Sequence, residues 1–173
     1  MRNTINYTIL LFVSITMFSC SDFQRIQKSE NIDEKYEAAI KYYDEQDYYR
    51  AGLLLEELIP ITRGTENAER SLFYYAYCHY HQNQLYLSSV YFDNLTSTYP
   101  RSEFAEESRY MFARSKYEST PKYNLDQSET MATLSSLQGI INMYPNSEYV
   151  KDCEIMIDDL NYRREKKAYE NAL

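Results

Sequence analysis

A ten-residue phrase occurs twice at a fixed offset of 45: Leu95–Phe104 closes with Tyr99-Pro100-Arg101-Ser102-Glu103-Phe104, and Ile140–Tyr149 closes with Tyr144-Pro145-Asn146-Ser147-Glu148-Tyr149. The same offset maps Ser88 onto Thr133, Phe92 onto Leu137, Leu95 onto Ile140, Glu107 onto Asp152 and Met111 onto Met156. A second offset, of 37, maps Tyr49 onto Tyr86, Leu58 onto Leu95, Glu66 onto Glu103, Ser71 onto Ser108, Ala76 onto Ala113 and Tyr80 onto Tyr117. Small, large apolar, turn and capping positions therefore recur in register. Periods of this size with helix-pair patterning belong to α-solenoids, whose units cannot bury their own apolar faces and must stack. The expected fold is all-α, about three and a half stacked antiparallel helix pairs, a shape that binds rather than catalyses.

The N-terminus adds an address. One positive charge, Arg2, precedes the apolar run Ile9-Leu10-Leu11-Phe12-Val13 and Met17-Phe18, then Ser19-Cys20. Such a run is too short to span a bilayer, which needs about 20 residues, and reads as a secretion signal over 1–19. Met17-Phe18-Ser19-Cys20 resembles a bacterial lipobox, which implies cleavage before Cys20 and a lipid on the new N-terminus. Residues 20–32 then form a polar, lipid-anchored linker. Removing Arg2 leaves 17 Lys and Arg against 26 Asp and Glu, a net charge of −9, and nothing forms a basic stripe. Long-range repulsion argues against nucleic acid and anionic lipid as partners.

The repeats divide as 33–64, 65–101 and 102–146, with 147–173 as the first helix of an incomplete fourth. In the first, Glu37–Tyr43 and Tyr48–Ile59 make the A and B helices around the polar turn at 44–47, and Pro60 and Gly64 mark the exit. Tyr48-Tyr49-Arg50-Ala51 resembles the tetratricopeptide consensus, in which a tyrosine packs against a small residue three positions on; Ala51 is that residue. The second pair is expected over 66–81 and 84–99, the third over 103–118 and from Asp126 or Ser128 to Tyr144, with a loop at 119–124. Proline at 100 stops a B helix because the preceding residue disfavours α geometry, and Ser102 is placed to cap the next one. The last helix carries Tyr149, Cys153, Met156 and Leu160 as one stripe; Ala168, Tyr169, Ala172 and Leu173 would continue an apolar face with no partner, so either more chain or another protein is expected to cover it.

Catalytic and metal chemistry find little footing. His79 and His81 are the only histidines, and a spacing of two separates them by about 200° around a helix, whereas zinc prefers i, i+4 pairs with further ligands. Cys78 and Cys153 sit on A helices separated by a third, too far apart for a disulfide. Adjacent acids such as Glu56-Glu57 and Asp158-Asp159 diverge by about 100° and suit a solvated face rather than acid–base work. No nucleophile elbow or phosphate loop occurs. We expect no enzyme, cofactor or metal. The tyrosines are more informative: of 20 in the chain, Tyr42, Tyr43, Tyr74, Tyr75, Tyr77, Tyr80, Tyr110 and Tyr117 fall on successive A helices, which line the concave face of such solenoids. Some rings serve as core; the rest offer apolar area and hydroxyls to an extended peptide.

Together, Cys20, Tyr48-Tyr49-Arg50-Ala51, the phrase Tyr99 to Glu107 and the stretch Ser119-Thr120-Pro121-Lys122-Tyr123-Asn124-Leu125-Asp126-Gln127 resemble the outer-membrane protein assembly lipoprotein family, BamD-like. The resemblance runs from Cys20 to the end, within the fourth of that family's five repeats. It implies a non-enzymatic, lipid-anchored subunit on the periplasmic face of the outer membrane. Unfolded barrel proteins would meet the concave faces of the first two repeats, at Tyr42, Tyr74 and Tyr77. The barrel insertase and other assembly-machinery subunits would dock on C-terminal repeats, largely missing from this sequence. A generic periplasmic tetratricopeptide lipoprotein, scaffolding other envelope or cell-wall proteins, shares the anchor and fold. A glycan-binding lipoprotein fits less well, since Trp is absent.

Overall fold

A computed structural model describes residues 22–65, 67–120 and 128–172. Among them are eight helices: α1 (22–27), then α2 (Ile32–Asp44), α3 (Tyr48–Ile61), α4 (Asn67–His81), α5 (Leu85–Thr98), α6 (Ala105–Ser119), α7 (Ser128–Met143) and α8 (Val150–Asn171). Each helix from α2 onward packs on the next, and α2 also touches α4. That is a stack of antiparallel pairs with A helices α2, α4, α6 and α8, and B helices α3, α5 and α7.

Local chemistry sets the boundaries. Asn31 opens α2, its side-chain oxygen accepting from the Asp33 and Glu34 amides at 3.1 and 3.2 Å, and Asp47 does the same for the Arg50 amide of α3; such caps satisfy donors that have no partner inside the helix. At the A-to-B turns, Gln46 and Asn83 adopt φ of 63° and 58°, with the Asp47 and Gln84 amides donating five residues back to the Tyr42 and His79 carbonyls at 2.9 Å. This closes each A helix with a left-handed residue at the same register position. The repeated phrase also folds alike in both places: the Ser102 and Ser147 hydroxyls each accept from the amide two residues on, at 3.2 Å. The serines therefore hold the turn before the helix rather than its first turn, and α6 begins at Ala105, two residues later than expected. Pro60 departs further from expectation, since α3 continues through it to Ile61. The stop comes at Thr62, whose amide and hydroxyl both donate to the Leu58 carbonyl at 2.9 and 3.0 Å, and the chain then turns at Gly64, φ 81°. The loop expected at 119–124 and the earlier start at Asp126 fall mostly outside the described residues.

Equivalent positions share burial. Leu58, Leu95 and Ile140 are buried, as are Leu55, Phe92 and Leu137, and Ala39, Ala76 and Ala113. Two core clusters result, one around repeat 1 and the start of α4, the other from Leu72 to Leu160, and Ile59 and Tyr91 touch both. Helices approach most closely where side chains are small. A Cβ placed on Gly52 of α3 would lie 3.6 Å from the Cys78 Cβ of α4, and one repeat on, the buried Ser88 and Ser115 hydroxyls meet at 3.2 Å between α5 and α6.

Successive A helices are laced together by tyrosines. The Tyr77 hydroxyl donates to Glu107 and Tyr80 to Glu118 at 2.6 Å, joining α4 to α6; Tyr110 donates to Asp152 and Tyr117 to Asp159 at 2.9 Å, joining α6 to α8. Arginines brace the second pair: Arg114 donates to the Tyr110 hydroxyl at 2.8 Å and to Glu118 at 2.9 Å, while Arg163 pairs with Asp159 at 2.5 Å with its guanidinium 5.2 Å from the Tyr117 ring centre. Burial, then the carboxylate acceptor, raises all four phenols, Tyr80 to about 12, so they are O–H donors at any physiological pH. Each such bond contributes about 1–2 kcal/mol at most, because the carboxylates remain part-exposed.

The segment read as a polar linker is partly structured. Phe23 and Ile26 of α1 pack against the repeat 1 cluster, Arg25 pairs with Glu34 at 2.8 Å, and Gln27 donates to Glu57, which also receives the buried Lys35 at 2.7 Å. At the other end, Cys153, Met156 and Leu160 of α8 are buried, while Ile155, Tyr162 and Tyr169 are exposed.

Two neighbouring substitutions should move stability in opposite directions. Ala51 is fully buried, so Ala51→Leu overpacks the α3–α4 contact and should cost about 1–3 kcal/mol. A methyl on Gly52 meets Cys78 at ordinary van der Waals distance, so Gly52→Ala should gain about 0.5–1 kcal/mol from its helical position. Thermal melting of the two variants checks the register; shifts of the same sign would contradict it.

Candidate functional site

Among the A helices, α2 and α4 leave an open groove of about 560 Å³, lined among others by Tyr36, Ile40, Lys41 and Asp44 from α2 and by Arg70 and Tyr74 from α4. That volume is in the range of small-ligand and short-peptide sites. Spacing builds it: Tyr36, Ile40 and Asp44 stand four residues apart on one face of α2, as do Arg70 and Tyr74 on α4. Tyr36, Ile40 and Tyr74 give the groove its apolar surface, and Glu37, Lys41, Asp44, Glu45 and Arg70 place charges among them. Burial raises the Tyr36 phenol and the nearby Arg70 guanidinium opposes that rise, so a cation and a phenolic O–H stand side by side at one end. Tyr43 packs against Tyr74, its ring edge-on at 4.7 Å; burial pushes its phenol well above the usual range.

The three tyrosines singled out from sequence occupy different settings. Tyr74 lines the groove. Tyr77 lies one turn further along α4, its ring 5.0 Å from both Phe73 and Phe92 and its hydroxyl held by Glu107. Tyr42 faces the other way: Phe23 of α1 meets it edge-on at 5.7 Å, and the Arg50 guanidinium stands 5.7 Å from its ring centre. Tyr36, Ile40, Lys41 and Arg70 escaped the sequence reading, although the Tyr36–Ile40 spacing was a usable signal. Cys20 lies outside the described residues.

Other reactive groups are occupied by packing. Cys78 and Cys153 are buried free thiols, pushed up by burial to about 12 and about 11, which leaves them protonated and inert. The His79 Nδ1 sits 2.5 Å from Gln84 Oε1, and His81 stacks on Tyr48 at 4.2 Å. Among the described residues no His, Cys, Asp and Glu cluster suited to a metal ion occurs, and no helix is long and apolar enough to cross a membrane.

Comparison with known proteins gives this scaffold its family. The family model YfiO, described as outer membrane lipoprotein, matches residues 28–171. The outer membrane protein assembly factor BamD of Caulobacter vibrioides is 32% identical over 97 residues, which is 56% of this chain and 32% of that protein. The match thus spans about a third of the length of that relative. With a family match running from just after α1 to the end of α8, this chain belongs to the YfiO family of outer membrane lipoproteins.

Proposed function

We propose that the protein is a non-enzymatic scaffold of outer-membrane β-barrel assembly, anchored through a lipid on Cys20 at the periplasmic face of the outer membrane. Its α2–α4 groove receives extended segments of unfolded barrel proteins, and its body docks on the barrel insertase and other assembly-machinery subunits. The observation that carries this reading is the open, tyrosine-walled groove on the first two repeats of an outer-membrane lipoprotein fold. Ile40 and Tyr74 offer apolar contact to alternate side chains of an extended peptide, while the Arg70 guanidinium offers donors to its carbonyls or a terminal carboxylate.

Tyr74→Ala should weaken binding of synthetic C-terminal peptides from barrel proteins by about tenfold, or about 1.4 kcal/mol, measured by fluorescence anisotropy. Tyr86→Ala, on a B helix, serves as the control and should leave affinity unchanged; equal affinities for all three proteins would remove the groove from the proposal.

Cys20→Ala should abolish lipid attachment and release the protein from sedimented membranes. Labelled fatty acid entering that variant would place the anchor elsewhere.

A further inference from the structure

Resting on the Cys20 anchor proposed above, we infer that the edge of the solenoid carrying the A-to-B turns lies on the bilayer, with the B-helix residues Tyr49, Tyr86 and Met131 as its contact. The first observation is the position of α1. Cys20 precedes Phe23 by three residues, a reach of at most about 11 Å. Phe23 is not loose: it packs on Tyr42, and the Arg50 guanidinium stands 5.7 Å from its ring centre. Those partners are at the end of α2 and the start of α3, beside the turn at 45–47. α1 then runs back toward Glu34 and Glu57, where Arg25 and Gln27 are bonded. The docked helix leaves an anchor at Cys20 no slack, and it sets the anchor beside that turn rather than the opposite edge.

The second observation is independent of the N-terminus. Tyr49, Tyr86 and Met131 share one register position by the offsets of 37 and 45, and their exposures are 65%, 76% and 52%. Each stands in the first turn of a B helix. In a stack of parallel A helices all A-to-B turns share an edge, so these three side chains form a row along it. Val90, four residues beyond Tyr86 on the same face of α5, adds exposed apolar surface behind it. Solvent gains nothing from an exposed apolar row kept at one register position, whereas tyrosine is suited to the boundary between headgroups and acyl chains. Lys116 shares a shallow cleft with Tyr86 and Val90, along with Asp93 and Glu129, and brings a cation toward headgroup phosphates. Asp44 and Glu45 on the same edge lie on the α2 side, away from the row. The B-helix side of the edge therefore faces lipid, and the A-helix groove opens away from it.

The test uses the lipidated protein purified from membranes and reconstituted into phosphatidylethanolamine–phosphatidylcholine vesicles that contain headgroup-nitroxide lipid. Single fluorophores are placed through Tyr49→Cys, Tyr86→Cys, Arg63→Cys and Arg101→Cys, the last two on the opposite edge. Labels at 49 and 86 should be strongly quenched and those at 63 and 101 hardly at all. A flexible Gly-Ser spacer inserted between Ser21 and Asp22, which leaves α1 intact, should abolish most of that difference, as should Phe23→Ala combined with Ile26→Ala. Equal quenching at both edges, or stronger quenching at 63 and 101, would overturn the inference. The mass of the N-terminal peptide from the same sample separates the two failures: an unmodified Cys20 refutes the anchor and this orientation with it, whereas a lipidated Cys20 without edge preference refutes the orientation alone.

Discussion

The structure depends on how closely each B helix can approach the A helix that follows it. No helix pair here covers its own apolar surface, so the fold exists only if repeat meets repeat at core density. Ala51 and Gly52 against Cys78, and Ser88 against Ser115, are the points where that approach is closest. Small side chains there let the large ones, Leu58, Leu95 and Phe92, interlock on either side. A side chain much larger than alanine at Ala51 or Ser88 separates the helices and unseats the larger residues together.

A second constraint acts across the A helices. Four tyrosine hydroxyls are spent on carboxylates of the next repeat, which fixes the angle between successive units and removes those hydroxyls from any ligand. Between α2 and α4 no such tyrosine–carboxylate bond occurs among the described residues. There α2 and α4 touch directly, and the groove lined by Tyr36 and Tyr74 runs along them. This division accounts for a chain with 20 tyrosines and no tryptophan, since a phenol packs by its ring and crosses an interface by its hydroxyl.

The periodicity made the helix-pair solenoid legible, because both offsets carry buried positions onto buried positions and turns onto turns. The helix limits of the second pair came within a residue or two for the same reason. Other features depended on contacts that no local pattern encodes. Pro60 fits the last turn of α3 because Thr62, not the proline, ends the helix. Phe23 and Ile26 looked too sparse in a polar stretch to signal a helix, yet repeat 1 offers them an apolar seat. The tyrosine spacing pointed to the A helices, but it could not separate Tyr74, which lines the groove, from Tyr77, taken up by Glu107, or from Tyr42, turned toward α1. Those distinctions arise from the neighbouring helix and not from the residue's own.

Family membership places this chain among outer membrane lipoproteins, and the proposal made above is that its groove holds extended chain. The most direct test of that claim is photocrosslinking in living cells, with a photoreactive amino acid at position 40 or 74 in the groove and at position 86 on a B helix. The account predicts adducts with unfolded outer-membrane barrel proteins from 40 and 74 and none from 86. Adducts from 86 alone, or groove adducts that contain no barrel protein, would contradict it.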